Sequence, residues 1–282
     1  MLEIHKCLGE GLEGKPERVA SCGLGPALKK GAELMNWGRK EESQNPAIKI
    51  GKGGVVVQQG SGLPGLDSAS AVLRMLGDGT FTLLSGGADL GTGLDTLAVK
   101  VAAECLCTDM SNISIISGDT DATPFDTGAY ASSGTFFSGN AALEAAKLMK
   151  EKILEVAADM LKEDKQDLQM AYPGFVKGKK GSITYQKIET FSEKGTGGGQ
   201  LVASASFTTE DSAFPYGAHF CQVAVNTRTG EVKIRKYFAL QDCGTPINPE
   251  LATGQIHGGV LKAIGHSLYE EMILDETGGC FN

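Results

Sequence analysis

The chain has 282 residues, 41% of them hydrophobic, which is enough to bury a large core in one large or two modest domains and rules out a small stapled scaffold. Its 34 acidic and 26 basic residues give a net charge of −8, and the pI is near 5.1. That balance argues against nucleic acid or an anionic membrane as the main partner, because either needs a concentrated basic face.

Residues 1–48 read as a helical lead-in, with one helix over Pro26–Arg39 that carries Leu28, Ala32 and Met35 on one side. Glu41-Glu42-Ser43-Gln44 reads as a linker. From Gly54 the pattern turns to strands: Val55–Val57, then Ala69–Leu76, a Gly77-Asp78-Gly79 turn and Thr80–Leu84, together a hairpin. Leu94, Leu97, Ala98, Val101 and Cys105 then recur at helical spacing, and Ile113–Ser117 follows as a short strand, completing a strand–helix–strand unit.

Residues 118–139 lack periodicity, and roughly twenty irregular residues inside a domain are usually functional or disordered. Their aromatic residues and low charge argue against disorder. A long helix spans about Ser138–Leu161, with Ser138 and Asn140 as candidate caps and a solvated face on which Lys147, Lys150 and Lys152 lie among Glu144, Glu151 and Glu155. Residues 162–199 are polar and irregular, with one strand near Ile183. Period two returns in Leu201–Thr208, Gly217–Asn226 and Glu231–Leu240, the last two forming a second hairpin. A helix over Leu251–Glu270 opens after Asn248-Pro249 and is glycine-rich on one side. The expected fold is α+β, with two consecutive α+β subdomains of mixed sheets and β-hairpins at 49–199 and 200–282.

Seven cysteines, no charged-then-apolar leader at Met1 and no membrane-length apolar run lead to the expectation of a cytoplasmic protein with reduced thiols. Cys105-Leu106-Cys107 fits neither a redox nor a metal spacing, and the four histidines form no His-Glu-x-x-His pattern, so a cage made only of protein ligands is not expected. Glycine is abundant, 39 residues or roughly twice the usual share, and it clusters at turns where another group can approach the main chain.

The central cluster is Gly86-Gly87-Ala88-Asp89-Leu90-Gly91-Thr92-Gly93, between a strand and a helix. Unpaired N–H groups at such a helix start would suit a phosphate or an oxo-anion. The alternative is a ligand-free turn in which Thr92 caps the helix and Asp95 is its partner three residues on.

This stretch, Asp126-Thr127-Gly128-Ala129-Tyr130-Ala131-Ser132-Ser133, and Asp242-Cys243-Gly244 through Ile247-Asn248-Pro249 to Gly254-Gln255-Ile256-His257-Gly258-Gly259 agree in order and spacing. Together they resemble the molybdenum-cofactor-binding part of the xanthine dehydrogenase and aldehyde oxidase family, over about residues 50–282. The resemblance implies a molybdopterin or molybdopterin cytosine dinucleotide carrying molybdenum, held by main chain and neutral side chains. By resemblance, Gly91 and Thr92 lie against the pterin or its metal end, Ala131 presents backbone to the metal's surroundings, Ser132 and Ser133 bind pterin or phosphate, and Gln255 hydrogen-bonds the pterin. Each also has a plain structural reading: helix cap, turn serine or helix-surface amide.

The chain departs from the family in carrying Thr92 where many relatives have glutamine. The family's catalytic glutamate falls beyond Asn282, and an earlier glycine-rich cofactor segment precedes residue 1, so no catalytic residue is nominated. The reaction implied is hydroxylation of purines, other N-heterocycles or aldehydes with oxygen from water. Electrons would pass to iron–sulfur clusters and FAD on partner subunits, in an oligomer that also holds the remaining molybdopterin-binding segment. Three expectations follow: the chain alone carries little or no molybdenum and does not oxidise purines, it exposes apolar surface and so self-associates or needs a partner, and Gln255 converges with the two loops on one cleft. The competing readings are a cofactor-free assembly or remnant protein, and a nucleotide-binding protein with a parallel doubly wound sheet, which the hairpins oppose.

Overall fold

In the computed structural model, which describes residues 21–194, 198–211 and 213–281, the hairpin at Gly77-Asp78-Gly79 lies in a four-stranded sheet. Strands β2 (Ala69–Met75) and β3 (Phe81–Ser85) pair antiparallel with Met75 opposite Phe81. Their turn is fixed by Asp78, whose Oδ1 accepts the Thr80 N–H at 2.9 Å and its hydroxyl at 2.6 Å. The period-two pattern is visible in burial: Ala69, Ala71, Leu73 and Met75 are fully enclosed while their neighbours are not. The chain then turns through residues 86–93 into α2 (Leu94–Cys105) and returns as β4 (Ile113–Ser117), parallel to β3.

Helix α3 (Phe137–Leu161) lies on this sheet. Ala141, Ala142, Ala145 and Ala146 let it approach closely, and Met149 and Ile153 fill the remaining space against the sheet's Leu73, Phe81 and Leu83. Each such large side chain contributes roughly 1.5–3 kcal/mol relative to exposure. Ser138 and Asn140 do not cap this helix: Phe136 occupies the cap position, while Ser138 and Asn140 lie inside the first turn.

Residues after α3 are more regular than the sequence implied. Three-residue strands β5 (Gln169–Ala171), β6 (Phe175–Lys177) and β7 (Ser182–Thr184) form a small antiparallel sheet, followed by α4 (Tyr185–Lys194). Strand β8 (Val202–Phe207) then joins the first sheet beside β2, giving the order β4-β3-β2-β8.

A second sheet contains β1 (Ile48–Gln58), β9 (Tyr216–Asn226) and β10 (Val232–Asp242), all antiparallel in the order β1-β9-β10. Helix α1 (Leu24–Met35) packs on it around Met35, Ala218 and Phe220. It ends before Arg39 because Asn36 turns left-handed, at φ 51°. Helix α5 (Pro249–Leu268) opens with Asn248 as its cap, the Oδ1 accepting the Leu251 N–H at 3.2 Å, and none of its residues is buried.

Among the described residues, Gly60–Ala213 forms one unit, and residues 21–59 together with Phe214 onward form the other. The division therefore differs from three consecutive blocks. α1 is part of a core rather than a lead-in, β1 pairs with β9 far along the chain, and β8 belongs with β2 on the other side of the expected boundary at 199/200. The part of the lead-in before residue 21 lies outside the described residues. The architecture is mixed α+β, and antiparallel pairing predominates over the parallel sheet of a doubly wound fold.

Candidate functional site

The turn between β3 and α2 has no room for a side chain at its first two glycines. A Cβ on Gly86 would sit 2.2 Å from the Pro124 carbonyl oxygen, and one on Gly87 would sit 2.9 Å from Leu94 Cδ2 and from Ser138 Oγ. An anion already stands at the start of this helix. Asp89 Oδ1 accepts from Gly91 at 2.9 Å and Gly93 at 3.0 Å, and Oδ2 accepts from Asp95 at 3.3 Å. Desolvation pushes this carboxyl up, but the N–H donors of Gly93, Asp95, Gly91 and Thr92 outweigh it and hold it below the usual carboxylate range. The helix is thus capped by Asp89, while Gly93 sits at the cap position with no capping side chain and Thr92 is exposed. A phosphate at this helix start would meet a carboxylate rather than free donors.

The irregular stretch after β4 is stitched to the start of β2. Asp126 forms a bridge with Ala69, and its Oδ1 accepts the Gly128 N–H at 2.9 Å while Oδ2 accepts the Ser138 hydroxyl at 2.7 Å. Thr127 donates its N–H to the Ser68 carbonyl at 2.9 Å. Within this clamp Ala131 and Ser132 both take left-handed backbone, with φ of 51° and 58°. For non-glycine residues that conformation costs roughly 1–2 kcal/mol each, and such outliers collect at functional sites.

Ser132 is exposed, whereas Ser133 is buried with its hydroxyl donated to Gly128 O at 2.7 Å and its N–H to Tyr130 O at 3.3 Å. Ser133 therefore shapes the loop, and Ser132 is the serine that faces outward. The Ala131 carbonyl accepts the Gly62 N–H at 2.7 Å.

The Gly91–Thr92 turn and the Ala131–Ser133 loop belong to the same unit, and Leu94, the first residue of α2, lies against both Gly87 and Gly134, its Cδ2 2.9 Å and 3.4 Å from where a Cβ on each would stand. Gln255 belongs to the other unit, on the exposed surface of α5. No cluster of three or more His, Cys, Asp or Glu side chains that could hold a metal ion occurs among the described residues. Sequence reasoning reads Asp89 as a turn or cap residue and Asp126 as the opening of a loop motif, but not the hydrogen bonds by which they hold the α2 start and the loop. Each aspartate stands two positions before a glycine, in Asp89-Leu90-Gly91 and Asp126-Thr127-Gly128, and that spacing is the signal of an Asx turn that could have found these bonds.

A family model described as the molybdopterin cofactor-binding domain matches residues 28–282. The chain belongs to this family. The molybdopterin cofactor-binding domain here is 52% identical over 278 residues to the "Probable hypoxanthine oxidase XdhD" of Escherichia coli (strain K12), covering 98% of this chain and 29% of that protein. It is 34% identical to the "Xanthine dehydrogenase molybdenum-binding subunit" of Escherichia coli O157:H7, covering 95% of this chain and 37% of that one. The chain therefore spans about a third of the length of these relatives. A solved structure of reconstituted CO dehydrogenase from Oligotropha carboxidovorans matches with a TM-score of 0.83 and 25% identity, over 95% of this chain and 36% of that one.

The residues present suit a neutral hydrogen-bonding group better than a charged one. Gly91, Thr92 and Ser132 are exposed, Ser132 on a strained backbone, and the Asp89 carboxylate disfavours an anion at the α2 start.

Proposed function

We propose that this chain is a cofactor-holding portion of a molybdenum hydroxylase that acts on purines, other N-heterocycles or aldehydes. The observation that supports it best is the pair of left-handed residues Ala131 and Ser132, in a loop held by Asp126 and Gly62 in a domain of this family. When bound, molybdopterin supplies the metal-centred oxidation chemistry. The chain's own residues bind and orient it: Gly91 and Ala131 by main chain, Thr92 and Ser132 by hydroxyl, Gln255 by an amide that both donates and accepts. Ser133 and Asp126 hold the loop in shape, and Ala131 is the residue assigned to the metal's surroundings.

The dinucleotide's phosphates, where present, are held away from the α2 start, because Asp89 already fills it. No acid or base among the described residues is assigned a proton-transfer role. Among the described residues, the one carboxyl with a strongly raised pKa, Glu189, is buried in the first unit. The general base, the iron–sulfur and FAD partners and the remaining cofactor wall come from other segments of a cytoplasmic multi-subunit enzyme.

The test is expression of the chain with and without the remaining molybdopterin-binding segment in a host that makes the cofactor, followed by molybdenum and pterin analysis. Near-stoichiometric metal is expected in the joint preparation and little in the chain alone. A joint preparation free of both molybdenum and pterin would refute the reading.

A further inference from the structure

Asp67 is 1% exposed, has no place in the motifs that carry the family resemblance, and sits behind the strained loop. Its Oδ2 accepts the Leu63 N–H at 2.8 Å, while its own N–H returns to the Leu63 carbonyl at 2.9 Å. This closes a tight turn over residues 63–67. The turn is tied down from behind by the Thr208 hydroxyl, which donates to the Asp67 carbonyl at 3.2 Å.

Gly62, immediately before this turn, is the residue that grips the Ala131 carbonyl. It can do so only as glycine: its φ is +86°, and a Cβ there would lie 2.3 Å from the Phe137 ring and 3.0 Å from Asp67 Oδ2. From the other side, the Tyr130 phenol is pushed up by desolvation and then by the Asp67 carboxylate, which places that charge against the loop itself.

We propose that Asp67 is a positioning residue for the cofactor loop: its carboxylate fixes the Gly62–Leu63 backbone, and Gly62 in turn holds Ala131 and Ser132 in their left-handed conformation. A loop that carries strain relaxes unless its surroundings over-determine it. Here the restraint is a short relay from carboxylate to turn to carbonyl, and breaking its first link releases the last. The functional half of the proposal rests on the cofactor reading given above; the mechanical half does not.

Amide exchange on the full chain tests the mechanical half. In Asp67→Ala, exchange across residues 128–134 should accelerate about tenfold, the equivalent of one lost hydrogen bond. Exchange in α2 and the β2–β3 hairpin should not change. Asp67→Asn keeps an acceptor for the Leu63 N–H and should restore protection, and Thr208→Val, which removes a second tie to the same turn, should loosen the loop less than Asp67→Ala does. If Asp67→Ala does not fold, the unsubstituted chain still decides: the Gly62 and Leu63 amides should open together with residues 131–133.

Pterin retention after gel filtration of the protein assembled with its remaining cofactor segment tests the functional half and should fall with Asp67→Ala but not with Asp67→Asn. Unchanged loop exchange, separate opening of Gly62, or uniform loosening of the whole unit would overturn the proposal. A loosened loop with pterin retained as before would instead overturn the assignment of this loop to the cofactor.

Discussion

Glu189→Gln should make the first unit less sensitive to pH. Glu189 is fully enclosed on α4, and its Oε1 accepts the Leu201 N–H at 3.2 Å, while Oε2 has no hydrogen-bond partner among the described residues. Desolvation raises its pKa, the Leu201 N–H lowers it and the nearby Glu193 raises it again, leaving it pushed up from 4.5 to about 7. The folded chain therefore keeps a proton that the unfolded chain releases. Stability is highest below the unfolded value, falls as pH rises toward 7, and is flat above. At about 1.4 kcal/mol for each tenfold difference in proton affinity the ceiling is ~3 kcal/mol, and local relaxation and water entry bring the expected figure to about 2 kcal/mol. Glutamine has nearly the same shape and keeps the acceptor for Leu201. Urea unfolding of both proteins at several pH values between 5 and 8 measures the difference. The substituted chain should gain about 2 kcal/mol relative to the original across that range. A stability difference that stays constant with pH would refute the reasoning.

Asp89→Ala removes the acceptor shared by Gly91, Gly93 and Asp95 and should cost about 1–2 kcal/mol in denaturant unfolding at neutral pH. Because the folded pKa of Asp89 is depressed, this contribution is present above the unfolded value and disappears as pH falls through the folded one, so the two proteins should converge in strong acid. Gly62→Ala combines a left-handed φ with a clash against Phe137 and should lower stability by ~2 kcal/mol or more, read as a drop in the urea midpoint. Gln255→Ala lies on an exposed helix surface and should leave unfolding within about 0.5 kcal/mol of the original. It should still lower pterin affinity in the assembled protein by about tenfold; unaltered affinity would remove Gln255 from the site.

The elements that could be read in the sequence are those long enough to show a period. The β2–β3 and β9–β10 hairpins, α2, α3 and α5 fall within a few residues of their expected limits, because their apolar positions repeat often enough to declare a face. β5, β6 and β7 were missed, apart from the strand read near Ile183, because a three-residue strand presents at most one or two inward side chains, here Val176 and Ile183, and no period can be seen in that. The placement of β8 was missed for a different reason. Alternation in Val202–Phe207 identifies a strand but carries no information about which strand it joins, and the choice of β2 is made in three dimensions.

At the site, the motif order identified the family through the glycines and serines. The burial of Ser133 and the capture of the α2 start by Asp89 depend on where side chains turn, and nothing in the spacing of Ser132-Ser133 distinguishes the outward serine from the inward one.

The pairing of β1 with β9 has a consequence for synthesis. Gln58 lies opposite Tyr216, so β1 leaves the ribosome long before its partner exists. At roughly 5–20 residues per second the delay is on the order of ten to thirty seconds. Throughout it, Ile48–Gln58 is an unpaired strand carrying the consecutive valines Val55, Val56 and Val57, which remain largely exposed even in the finished sheet. Nascent chains are therefore most prone to stick to one another in this interval, and slowing translation between residues 60 and 215 should lower the soluble yield, whereas replacing Val56 with threonine should recover part of it.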